Sequence, residues 1–204
     1  MSLTIHKQPF SAIWVCAESQ EELGNTFIRF QEYYESPNKD FKNKIFTVGQ
    51  VRSWYSTKYG ANTYHQDWTG FNFPSSVLVP FRQGLFDPLT TEENNLLDLL
   101  RYRYDNFYVI GAQNQSVLRH ELAHALYSYS IKYKISIDQL CHKHKKELKK
   151  ATEYILDKGY DKSVINDELQ AYITDNDDEF IKKNVSQSII DQINQLYSYH
   201  SKQN

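Results

Sequence analysis

The sequence predicts an α+β fold, with a small sheet in the N-terminal half and helices dominating beyond residue 113. Three observations carry that expectation. Residues 11–17 are a continuous apolar run of strand length, and residues 105–110 read as a short strand. Ser19 and Thr90 each stand three residues ahead of a Glu and open an apolar pattern of helical period. Every apolar pattern past residue 113 is again helical in its spacing. At 204 residues the chain fits one domain, or one domain split into two lobes by a cleft. Its sheet-containing part is expected over residues 1–112 and its helical part over residues 113–204.

Taken in order, Ser11-Ala12-Ile13-Trp14-Val15-Cys16-Ala17 reads as a strand buried on both faces. Ser19-Gln20-Glu21-Glu22 is a capping box, followed by Leu23, Phe27, Phe30 and Tyr34 at helical spacing and closed by Pro37. A second strand is expected at residues 44–48, then a short helix with Val51, Trp54 and Tyr55 that ends near Gly60. Residues 61–89 mix aromatic residues with turn formers, with a strand expected at Val77-Leu78-Val79. This aromatic stretch either lines a cleft or ties a loop to the core. Thr90-Thr91-Glu92-Glu93 caps a helix carried by Leu96, Leu97, Leu99 and Leu100. The strand at 105–110 follows, broken by Gly111, and the polar run Gln113-Asn114-Gln115-Ser116 supplies caps for the next helix.

That helix is expected to keep Val117, His120, His124, Tyr127 and Ile131 on one face. Ser136 and Asp138 open a further helix to Asp157, stopped by Gly159, with Ile137, Leu140, Leu148, Ala151 and Ile155 as its apolar stripe. His144 falls on that stripe, where a hydrogen-bonded core histidine is the ordinary reading. Lys143, Lys145, Lys146, Lys149 and Lys150 form a solvated outer face. Ser163 opens a helix through Thr174, and a last helix carries Val185, Ile189, Ile190, Ile193 and Leu196. The acidic loop at 175–179 lacks the Gly and the terminal Glu of a calcium-binding EF-hand loop.

Composition narrows the function classes. A net charge of −2 gives no pull toward nucleic acid or an acidic membrane surface. No run approaches 18 apolar residues, and no basic segment followed by an apolar one marks a signal peptide. A cytoplasmic protein with no membrane partner is therefore expected. Two cysteines, Cys16 and Cys141, are too few for a disulfide framework. The aromatic load of 16 Tyr, 11 Phe and 3 Trp points to packing, since tyrosine buries its ring while its hydroxyl stays wet.

The chemistry concentrates at Arg119-His120-Glu121-Leu122-Ala123-His124. Residues i and i+4 of a helix share a face, so His120 and His124 can present two imidazoles to one metal ion. Glu121 lies about 100° round the helix from His120, within reach of a metal-bound water without being a ligand. This is the H-E-x-x-H arrangement of zinc hydrolases. A catalytic site needs a third protein ligand. His144 reaches the metal only if the intervening turn folds back. Glu168 is favoured, because Ala171 one turn on is small enough to let its helix approach closely. The metzincin pattern fails, with Tyr127 in place of its Gly and Ser130 in place of its third His.

His120-Glu121-x-x-His124 followed by a helical Glu168-x-x-Ala171 resembles the gluzincin arrangement of zincin metallopeptidases, closest to their minimal forms. The likeness spans residues 105–172. It implies His120 and His124 as zinc ligands, Glu121 as general base, Glu168 as third ligand and one zinc ion per chain. It also implies that the strand near 106–110 binds an extended peptide along its edge. Thermolysin-like enzymes place an Asp four residues after the ligand Glu; here that position is Tyr172, with Asp175 as a substitute. Tyr127, Tyr172 or His144 would then stabilise the oxyanion. The expected function is zinc-dependent hydrolysis of a peptide or protein substrate. The alternative is a non-catalytic zinc-binding interaction or effector domain, which would need no base at Glu121.

Overall fold

Residues 3–103 and 106–202 are described by the computed structural model. Asp105, the first residue of the strand expected at 105–110, lies outside them. The fold is α+β. The chain divides into two compact units, residues 1–114 and residues 115–204.

The first unit holds a four-stranded mixed sheet built from β1 (Thr4–Lys7), β2 (Ala12–Cys16), β3 (Gly70–Pro74) and β4 (Tyr108–Ala112). Its order is β1-β2-β4-β3, with β2 parallel to β4 and the outer pairings antiparallel. β4 is all apolar and buried at all five residues, as a central strand requires. Hydrogen bonding to β2 on one side and β3 on the other leaves β4 no edge for a peptide, which overturns the expectation for residues 106–110. Gly111 lies inside this strand instead of ending it. A Cβ there would stand 2.8 Å from the Phe27 ring, so glycine marks a close approach rather than a stop.

α1 (Gln20–Glu35) packs on the sheet through Leu23, Phe27 and Phe30. Ser19 accepts from the Glu22 backbone N–H as expected, while the Glu22 carboxylate reaches back to Glu18 N. α2 (Val48–Tyr59) begins where a strand was expected, because Thr47 and Gln50 form a full capping box that commits the chain to a helix. α3 (Tyr64–Asp67) precedes β3. Val77-Leu78-Val79 is not a strand: a 3-10 turn over Ser75–Val77 leads into α4 (Leu78–Arg82). Pro80 lacks the donor a strand ladder needs and fits a first helical turn. Phe71, Phe73 and Phe81 of this aromatic stretch are buried in the core. α5 (Thr91–Leu99) carries the expected Thr90–Glu93 capping box.

The second unit is helical. It contains α6 (Gln115–Tyr129), α7 (Ile131–Lys143), α8 (Lys149–Asp157), α9 (Ile165–Asp175), α10 (Glu179–Asn184) and α11 (Gln187–Ser201). α6 ends two residues before Ile131, which is exposed at the start of α7 and shares no face with the histidines. Ser130 makes that break by capping α7 through the Tyr133 backbone N–H. The single helix expected from Ser136 to Asp157 is therefore two helices, separated by a turn at 144–148. Ile137, Leu148, Ala151 and Ile155 are all buried, and Gly159 stops α8 with φ 98°. No helix among the described residues is long and apolar enough to cross a membrane.

Candidate metal centre

α6 and α9 build the site. Leu118, Ala123, Ala125 and Leu126 bury the packed side of α6, and His120 and His124 rise one turn apart on one face. Their Nε2 atoms lie 3.1 Å apart. Each Nδ1 faces a carboxylate of α9. His120 Nδ1 stands 2.6 Å from Asp175 Oδ2, and His124 Nδ1 stands 2.8 Å from Asp167 Oδ1. A carboxylate opposite Nδ1 keeps the proton on that nitrogen and turns the Nε2 lone pair outward. Two lone pairs meeting across this gap repel each other unless a proton or a cation stands between them.

Glu168 is the third candidate donor. Its Oε2 is 3.8 Å from His124 Nε2, and it is buried with no hydrogen-bond partner among the described residues. One ligand atom each from His120, His124 and Glu168 falls within 4.8 Å of the others. Two nitrogens held about 2.0–2.1 Å from a tetrahedral zinc lie about 3.3 Å apart. The imidazole pair already has that spacing, and the carboxylate stands slightly further out. The donor set of two neutral imidazoles, one orphaned carboxylate oxygen and a carboxylate behind each histidine fits zinc.

The electrostatics reflect the same gathering of carboxylates around the imidazoles. Burial opposes charge on His124, but Asp167, Glu168 and Glu121 together outweigh it and hold the imidazole well above its usual range. Burial pushes Glu168 up from the usual carboxylate range, against the pull of His124 and His120. Crowding by Asp167, Glu168 and Glu121 raises His124, whereas at Glu168 burial comes first and Asp167 and Glu121 only add to it. Such a cluster retains protons and gives them up to a divalent cation.

Glu121 is buried beside the pair, and its charge acts on His124, Glu168 and Tyr160 alike. Of the three residues expected near an oxyanion, only Tyr172 comes into the site. Its ring meets His120 edge-on at 4.9 Å, and its hydroxyl is 3.4 Å from that of Tyr160. Tyr127 instead donates its hydroxyl to Asp138 Oδ1 at 2.7 Å, because the break at Ser130 brings α7 back against it. His144 is held at the end of α7 by Glu147, its Nδ1 2.8 Å from the carboxylate, and neither supplies nor backs a ligand.

Sequence reasoning missed two site residues. Asp167 backs His124, but nothing in its local sequence separates it from any first-turn acid of a helix. Tyr160 sits in the turn after α8, where burial first, then Glu168, Tyr172 and Glu121, push its phenol far above the usual range and keep it protonated. Apart from the Asp175 oxygen that faces His120, the acidic loop spends its carboxylates on hydrogen bonds that hold this unit together. Asp175 Oδ1 accepts from Asp177 N at 3.0 Å, Asp177 accepts from the Ser116 hydroxyl, and Asp178 caps α10. Compared with known protein families, curated proteins and solved structures, the chain matches none.

Proposed function

We propose that the second unit is a zinc-dependent hydrolase centre acting on peptide bonds. The observation that carries this reading is the convergence of two carboxylate-backed imidazoles on the orphaned Glu168 oxygen, with Glu121 buried alongside. His120, His124 and Glu168 would hold the metal, leaving a fourth position for water. Zinc bound there supplies Lewis acidity, acidifying a water and polarising a carbonyl.

The remaining steps belong to the chain. Glu121 takes a proton from the attacking water as the new C–O bond forms. It returns that proton to the amine nitrogen as the C–N bond breaks. The protonated hydroxyls of Tyr160 and Tyr172 donate to the carbonyl oxygen as negative charge collects on it. Asp167 and Asp175 hold the imidazoles in the one tautomer that can bind a cation. A purely structural metal site needs no base at position 121, which favours hydrolysis over an interaction domain.

The test is elemental analysis of the chain purified without added metal, alongside a peptide-library assay. About one zinc per chain is expected, lost in His124→Ala and Glu168→Ala and retained in Glu121→Gln, which cleaves nothing. A wild-type chain that takes up no zinc after dialysis against it refutes the metal reading. A zinc-loaded chain whose cleavage survives Glu121→Gln refutes the mechanism.

A further inference from the structure

Gln170 and Tyr133 lie outside the ligand set, yet both are completely buried and both are polar. Burying such groups is costly unless their hydrogen bonds are met. Here they are met in one direction only. The Tyr133 hydroxyl of α7 donates to Gln170 Oε1 at 2.8 Å. With its oxygen so engaged, the Gln170 amide donates from Nε2 to Asp167 Oδ1 at 3.0 Å. That same oxygen faces His124 Nδ1 at 2.8 Å. The order of donors along this chain is therefore fixed by chemistry: a phenol can give its proton, an amide can accept at oxygen and give at nitrogen, and a carboxylate can only accept.

We propose that Gln170, oriented by Tyr133, is a positioning residue for the metal centre that acts on His124 through Asp167. The inference rests on the zinc reading of the site. Asp167 carries the more exposed of the two histidine-backing carboxylates, with its side chain 25% exposed against 10% for Asp175. Water can therefore compete for it and let it swing. A second buried donor on the very oxygen that faces His124 opposes that motion and keeps Nε2 aimed at the ion. Asp175 has no such need, since its second oxygen is anchored on a backbone N–H.

The experiment measures zinc affinity of the full chain by chelator competition, with far-UV circular dichroism as the check on folding. Gln170→Met keeps the volume and removes both bonds, and Tyr133→Phe removes a single hydroxyl. Loss of a group backing a metal ligand weakens binding by about 10- to 100-fold. Gln170→Met is expected at the lower end of that range and Tyr133→Phe at about threefold. In an Asp167→Ala background neither change should weaken zinc binding further, because the route to His124 is already cut. A merely structural role for Gln170 would give the same fold-change in both backgrounds, and that result overturns the proposal. Unchanged affinity in the folded variants also overturns it, while leaving the metal site standing. Should Gln170→Met not fold, Tyr133→Phe alone decides. A wild-type chain that binds no zinc removes the metal reading and this inference together.

Discussion

The two carboxylates behind the histidines look equivalent, but their oxygens are used differently, and asparagine substitutions expose the difference. Asp175 spends one oxygen on His120 Nδ1 at 2.6 Å and the other on the Asp177 backbone N–H at 3.0 Å. Asp167 takes both its donors, His124 Nδ1 and Gln170 Nε2, on Oδ1. Asparagine offers a single acceptor oxygen. At position 167 that oxygen can keep both donors, so only the charge is lost. Turning a charge-assisted bond into a neutral one costs about 1 kcal/mol, or about fivefold in zinc affinity. At position 175 the new amide nitrogen must face one of two N–H groups. A second bond is forfeited, for about 2 kcal/mol in all and about 30-fold in affinity. Chelator competition on Asp167→Asn and Asp175→Asn at one pH measures both. Equal losses, or a larger loss at 167, would refute the oxygen-by-oxygen reading; no loss at either would refute the claim that these carboxylates orient the histidines.

Three further outcomes are expected. In the first unit, the Arg29 guanidinium is buried against Glu93 and the Phe86 carbonyl, so Arg29→Met strands a buried carboxylate and should destabilise that unit by about 3–5 kcal/mol. Tryptophan fluorescence in urea reads that unit alone, because Trp14, Trp54 and Trp68 all lie within it, and an unchanged midpoint would count against the pair. Glu32 is buried with Oε2 unpartnered among the described residues, and burial raises its carboxyl above the usual range despite Ser36, Tyr64 and Lys58. A group raised on folding favours the folded state below its unfolded value and loses that contribution as pH rises through the folded one, so the advantage of Glu32→Gln in melting temperature should grow from about pH 4 to about pH 8. A pH-independent difference would contradict it. Tyr160→Phe should retain zinc and lose about 100-fold in kcat, and equal turnover would show that its hydroxyl gives nothing to the oxyanion.

What could be read from the sequence was whatever is encoded within one or two helical turns. The spacing of His120 and His124, the Thr90 capping box and the helix around Glu168 are each local, and each stands where the spacing set it. Local reading failed where two local preferences compete. Val77-Leu78-Val79 is β-branched enough for a strand, yet Pro80 decides for a helix. Residues 44–48 contain Ile45, Phe46 and Val48, yet the Thr47–Gln50 box outweighs them. Non-local partners left no trace. Asp167, Tyr160 and Gln170 gain their meaning only from the pairing of α6 with α9 and α7, and among 16 tyrosines nothing sets Tyr160 or Tyr133 apart.

That pairing follows from the contacts. His120 meets Asp175 and His124 meets Asp167, so as the chain advances along α6 its partners retreat along α9, and the two helices run antiparallel. Four residues separate the histidines and eight separate their carboxylates, about 6 Å against about 12 Å of helix rise. The acids therefore bracket the imidazole pair from both ends instead of stacking above it. Glu168, one residue inside the bracket, is left with a buried oxygen and no hydrogen-bond donor among the described residues. Ala171 lies midway between Asp167 and Asp175 on the same face of α9 and is wholly buried. The motif on α6 brings the two imidazoles together, and the antiparallel run of α9 brings a carboxylate to each of them.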